Sequence, residues 1–285
     1  MSEVVDVSRA ELFKMVRRPG VWTLLAVAVV LSQVFGYVIP YLSYVGGGSG
    51  PIEGASPEAI LASTLPDQVV ANALGGFPVF AGALALVFGA LVFGSEYGWG
   101  TLKTLLTQRP GRATVVVGQF MAMAVAVAVG VLVLFALGAI SAAAIALLEE
   151  RARSWPTPLD LLEGYGAGFA IMLMWSTLGA LLGVLLRTVA LPIGLGVVWV
   201  LGVENLIAGV AGSVLTALQP LRDVLPGVNA GSLASAVMPA RPPGVDSPPG
   251  VTTSVTDGRA LVTVSCYVVV CVAVALWASR RRDVT

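Results

Sequence analysis

The side chains able to do chemistry are few here, and the usual kinds are missing. The sequence has no histidine, and its two cysteines are Cys266 and Cys271. Without imidazole there is no Ser-His-Asp relay, no histidine metal site and no intramembrane protease that needs a histidine. Five residues apart on one helix, the two thiols point roughly 140° apart, which gives neither a disulfide nor a thiolate metal site. They read as small apolar fillers. No GxxxxGK[ST] phosphate loop and no dinucleotide-binding glycine fingerprint occur, so any ATP would be bound by another chain. The run "EERAR" at Glu149–Arg153 is rich in charge but has no recognisable acid–base arrangement. Two features remain. One is Glu204 with Asn205, inside an apolar stretch; the other is the charged segment "FGSEYGWGTLKTLLTQRPGR" from Phe93 to Arg112.

What must position these residues is a membrane. Hydrophobic residues make up 57% of the 285, and charged residues 11%, where a soluble domain carries about 25% charge. Net charge is zero, so no global field points to nucleic acid. A helix crosses a bilayer with about 20 apolar residues. Six stretches qualify, at 21–44, 74–95, 115–147, 164–186, 190–211 and 260–279. The third is longer than a span needs and should project or tilt. The fourth and fifth, separated only by "RTV", should form a tight hairpin. The expected fold is therefore an all-α integral membrane bundle of six transmembrane helices.

Residues 1–20 add an amphipathic helix. At about 100° per residue, Val4, Val5, Leu12, Phe13, Met15 and Val16 share one half of the wheel. Asp6, Glu11, Lys14, Arg17 and Arg18 share the other, with Arg9 a misfit on the apolar side. Such a helix lies in the membrane interface. The longest loop, 212–259, should carry short re-entrant or outer helices before the last span. Its Pro-rich piece, Arg241–Val251, reads as a linker, extended or mobile. Gly179 and Gly183 stand at GxxxG spacing, and the close helix contact they allow is expected within one chain rather than at a dimer seam.

Orientation follows from the basic residues. With the N-terminus in the cytoplasm, eleven lysines and arginines fall on the inside and five on the outside. Both termini are therefore expected to be cytoplasmic. The segment after span two is then the first cytoplasmic loop, 96–112. Trp99, Leu102 and Leu106 fall at i, i+3 and i+7 on one face of a short helix, flanked by Tyr97 and Leu105, and Pro110-Gly111 ends it. An exposed aromatic-aliphatic face on a cytosolic hairpin calls for the lipid headgroups or a protein groove.

This segment resembles the one after the second span in the permease subunits of type-2 ATP-binding-cassette exporters. The residues that carry the likeness are Glu96-Tyr97, Gly100-Thr101-Leu102-Lys103 and Pro110-Gly111-Arg112. The start, "SRAELFKMVRRPGVW", is similar to that family's interfacial helix, and the six spans and the long loop before span six extend the likeness to nearly the whole chain. The stretch between Arg241 and Gly258 has no counterpart in it.

The resemblance implies a bacterial plasma-membrane permease whose first cytoplasmic loop docks into a groove on a soluble ATPase subunit. Two permeases, identical or paralogous, would pair over two ATPases, and ATP with Mg would sit on those partners, none on this chain. Glu96, Tyr97, Trp99, Gly100, Thr101, Leu102 and Lys103 would then form the coupling contact, and catalysis would belong to the ATPase. Glu204 lies about 21 Å along span five from Ala190. With Asn205 it is read either as a polar group on the translocation route or as a cap for the segment that follows, with Arg222 as an ion partner. Two other classes stay open: a stand-alone channel or secondary transporter, and a non-transporting anchor for a cytosolic complex.

Overall fold

A computed structural model describes residues 2–47, 55–98, 111–213 and 216–281, and every regular element among them is helical. Six helical stretches are long and apolar enough to cross a membrane: Pro19–Val45, Pro66–Glu96, Ala113–Leu148, Pro158–Leu186, Ala190–Val210 and Asp257–Arg280. These are spans one to six. An N-terminal helix, Ser2–Arg17, precedes them, and a short helix, Pro226–Val237, lies between spans five and six.

Several bounds differ from those of the bare apolar runs, for local reasons. Span four starts at Pro158 because Thr157 and Asp160 form a reciprocal capping box, Thr157 Oγ1 taking the Asp160 N–H at 3.2 Å and Asp160 taking the Thr157 N–H at 2.9 Å. That box satisfies two N–H groups a helix start leaves free. Span three is one helix of 37 residues, Arg112–Leu148. At 1.5 Å per residue it is about 55 Å long, well beyond the ~30 Å hydrocarbon layer. The hairpin between spans four and five closes at Arg187, whose φ of 54° is left-handed and whose N–H reaches Gly183 O at 3.0 Å.

Spans two and four form the centre. Of the most apolar window in each, 72% and 56% is buried inside the protein, against 11% for span one and 17% for span five. Glycine makes this crossing. A Cβ on Gly89 would strike the Ser176 carbonyl, one on Gly179 would strike the Leu86 carbonyl, and one on Gly183 would come to 3.0 Å of Gly94 N. Backbone rests on backbone, so Gly179 and Gly183 serve packing within the chain, as their spacing suggested. Trp175, Phe77, Ile171 and Met174 fill the layer beside this crossing, each almost fully buried.

Spans one, two and five are each interrupted by a π turn, at Val34–Val38, Phe77–Ala81 and Trp199–Val203. The first two lie at prolines. Pro40 and Pro78 have no N–H to donate and crowd the preceding turn, and the wider i→i−5 bond, as from Ala81 N to Gly76 O at 2.8 Å, absorbs both.

The Pro-rich segment Arg241–Val251 is not extended but makes two turns, closed by Val245 N to Pro242 O and Val251 N to Pro248 O, both at 3.1 Å, and it is packed together with its flanks. Thr252 N reaches Gly231 O at 3.5 Å, Val255 N reaches Ser232 Oγ at 3.3 Å, and Gln68 Nε2 reaches Ala240 O at 3.3 Å. Gly250, at φ 84°, lies so close to Val79 that a Cβ would collide with it. The segment thus covers the helix Pro226–Val237 and the start of span two.

Candidate functional site

Two polar sites lie at opposite ends of the bundle. The first joins the N-terminal helix to the end of span two. Ser8, Glu11 and Met15, at i, i+3 and i+7, are the buried residues of that helix. Its apolar residues Val5, Phe13 and Val16 are exposed. The wheel placed Glu11 and Lys14 on the charged half of an interfacial helix; part of that half faces the bundle. The physical reason is the partner. Gly118 of span three admits Val7 and Ser8 closely, and span two presents a carboxylate there.

That carboxylate is Glu96, whose side chain is 3% exposed. Its Oε1 accepts from Lys14 Nζ at 3.1 Å and from Arg18 Nη2 at 2.9 Å. Arg18 Nη1 also donates to Ser95 Oγ at 2.9 Å, and Lys14 reaches Glu11 Oε1 at 2.7 Å. Two cations thus hold Glu96 from about eighty residues away in sequence, and Lys14 also holds Glu11, three residues before it. Charge-assisted bonds of this length are among the stronger polar contacts. Neither the wheel nor the family likeness assigned Lys14 or Arg18 to Glu96. The available signal was that Glu96 is the one carboxylate at that end of span two, with four basic residues, Arg9, Lys14, Arg17 and Arg18, in the preceding amphipathic segment.

Burial pushes the Glu11 carboxyl above its ordinary range, and Lys14 pulls it partly back. A folded-state value above the unfolded one gives stability that is full at low pH and fades as pH rises through the folded value. Glu11→Gln is therefore expected to flatten the fall in thermal stability of the purified chain above about pH 4 to 5. Melting curves of both forms across that range check it.

Glu96 is turned inward, onto Lys14 and Arg18. Tyr97 lies in the last turn of the same helix. Trp99, Gly100, Thr101, Leu102 and Lys103 lie outside the described residues.

The second site is at Glu204. After the π turn, span five resumes as Glu204–Ser213. Asn205 Nδ2 donates to Val200 O at 2.8 Å and Leu201 O at 3.3 Å, serving the carbonyls that the π turn loosens. Glu204 turns inward and is 4% exposed. Its Oε1 accepts the N–H of Gly227, in the first turn of Pro226–Val237. Helix starts leave such N–H groups unpaired and carry partial positive charge, so a carboxylate is held well there. A Cβ on Gly227 would come to 2.9 Å of that same oxygen, which explains the glycine. The capping reading of Glu204 is thus realised in the fold.

The expected pairing of Glu204 with Arg222 is not formed. Arg222 Nε and Nη2 both donate to Asp223 Oδ1, at 3.0 and 2.7 Å, and Arg259 Nη1 lies 3.7 Å from Asp223 Oδ2. The adjacent carboxylate takes the guanidinium, and Glu204 is satisfied by a helix start instead. Beside Glu204 is a cavity of about 140 Å³. Pro78, Val79, Val200 and Val228 give it apolar walls, and Asn205, Thr252 and Ser254 give it polar ones.

Among the described residues no three His, Cys, Asp or Glu side chains gather as a metal site. What the fold presents is a multi-pass helical bundle with an ion-pair clamp at one end and a carboxylate-lined cavity toward the other. Residues 6–284 match the family model described as ABC-2 family transporter protein, and the chain belongs to that family. It is a permease of the ABC transporter class, a transport subunit rather than a catalyst, and its family implies an ATP-binding-cassette partner. No curated protein matches the chain.

Proposed function

We propose that this chain is the membrane half of an ATP-driven exporter in a bacterial plasma membrane, with both termini in the cytoplasm. Two copies, or this chain and a paralogue, pair over two ATPase subunits that bind ATP and Mg. The loop 96–112 is the coupling element, and Trp99, Leu102 and Lys103 supply its contact with the ATPase. Glu204 and Asn205 border the route on the far side.

The observation that carries this reading is the family match over nearly the whole chain. The clamp supports it mechanically. Lys14 and Arg18 fasten the N-terminal helix to Glu96, three residues before Trp99. A pull on the loop therefore reaches the N-terminal helix and span two together, rather than being dissipated in slack chain. The excess of arginine and lysine on one side supports the orientation.

The chain is to be isolated from its native membrane in mild detergent, and the co-purified proteins identified by mass spectrometry. An ATP-binding-cassette subunit at near-equal ratio is the expected result. Trp99→Ala with Leu102→Ala should lower that co-purification at least about tenfold, as loss of two buried anchors does, while the chain stays in the membrane. Unchanged co-purification would remove the loop from the coupling role. A clean preparation with no ATPase would favour a stand-alone channel or carrier.

A further inference from the structure

We propose that the cavity beside Glu204 binds a small organic ammonium group. As the substrate class of the exporter this rests on the reading above; as a binding site it stands without it. Four observations carry it.

First, Glu204 is buried, and among the described residues only uncharged donors face its carboxylate: the Gly227 N–H on Oε1, with the Val228 N–H and the Trp199 indole beside it, while Oε2 makes no hydrogen bond to those residues. Second, no cation of the described chain reaches that carboxylate. Arg222 lines the same cavity, yet its guanidinium is held by Asp223, and Arg259 lies against the same aspartate. A buried carboxylate is held best by a positive partner, and a guest cation would supply the one that the described residues do not. Third, the cavity is about 140 Å³, several times the volume one water needs. Fourth, its walls are of two kinds. Pro78, Val79, Val200 and Val228 offer hydrocarbon, while the Thr252 and Ser254 hydroxyls, 2.6 Å apart, line the same cavity as the carboxylate and retain acceptor capacity.

An alkylammonium suits all four. Its N–H groups fit one free carboxylate oxygen and a hydroxyl, and its carbon chain fits the valine and proline walls. A bare divalent metal does not, because it needs six or more oxygens, and one carboxylate with two hydroxyls falls short of that. An anion is disfavoured by Glu204 itself.

The test uses the purified full-length chain in detergent and three probes with the same carbon chain: n-butylammonium chloride, n-butanol and sodium butyrate, at constant ionic strength. Butylammonium is expected to raise Tm saturably by about 3 °C, the other two by none. Glu204→Gln should abolish the rise. Ala208→Leu, which fills the cavity from span five and leaves the carboxylate in place, should abolish it too. Equal shifts with all three probes would mean unspecific partition and would overturn the proposal, as would preference for butyrate. An undiminished shift in either variant would do the same, and should Glu204→Gln fail to fold, Ala208→Leu decides alone. Failure here with an ATPase still co-purifying would refute the ammonium site and leave the exporter reading intact.

Discussion

Glu96→Gln is expected to release the N-terminal helix from the bundle. Glu96 and Arg18 are nearly sealed, at 3% and 12% exposure, while Lys14 is 35% exposed. Removing one partner of a buried ion pair leaves the other charge uncompensated, a loss of about 3 kcal/mol or more. Lys14 keeps Glu11 as a partner and Arg18 keeps Ser95, so the burden falls mainly on Arg18. Arg9, which is exposed, and Arg17 then become faster targets for trypsin in the detergent-solubilised chain, and Tm falls. Arg18→Gln in the same background should restore most of the loss, because two neutral groups need no counter-charge. A double-mutant cycle measures the pairing directly. Additive losses, with no rescue, would show that the clamp does not hold the helix. Because Glu96 stands three residues before Trp99, the single variant should also weaken ATPase co-purification, and the rescued double variant should recover it.

Replacing Gly89 by leucine should abolish the assembled fold. At Gly89 a Cβ meets the Ser176 carbonyl, at a distance no relaxed side chain reaches. Backbone cannot step aside as a flexible side chain can, so the two central helices must separate. Overpacking typically costs about 1–3 kcal/mol where side chains can adjust, and a clash of main chain against main chain should exceed that. Spans two and four hold the most buried surface of the bundle, so their separation removes its core. Gly130 gives the control, since a Cβ there meets nothing within 4 Å. Gly130→Ala is expected to be neutral or to stabilise by up to about 1 kcal/mol, because alanine suits a helix better than glycine. Size-exclusion profiles and melting curves of the two variants, expressed side by side, distinguish a contact requirement from general sensitivity to glycine loss.

The ammonium site and the clamp make separate demands on the same chain. The clamp concerns how force enters near the loop, and the cavity concerns what is held toward the other end. Their variants should therefore separate. Glu96→Gln should leave the butylammonium shift in place wherever the fold persists, and Ala208→Leu should leave the N-terminal helix protected from trypsin.

Composition and apolar runs alone determine that this chain is a helical membrane protein with six spans. The reason is that a bilayer imposes a length and a polarity on each crossing, and both are written locally. The glycine spacing at Gly179 and Gly183 announces close contact for a similar reason: the absence of a side chain is itself a local fact. The loop residues from Glu96 to Arg112 carry the family likeness in one stretch. Which side each face meets is another matter. The helical wheel places Glu11, Lys14 and Arg18 on a polar half, and only the packed structure turns Glu11 inward and sets Lys14 and Arg18 on Glu96. Likewise a carboxylate at Glu204 signals expense, without saying that Gly227 would receive it or that Asp223 would claim Arg222. Those pairings join residues far apart in the chain, and they are settled by which backbones can approach. Hydropathy is a sum along the chain, whereas ion pairs, caps and cavities are meetings across it, and only the tertiary fold chooses who meets.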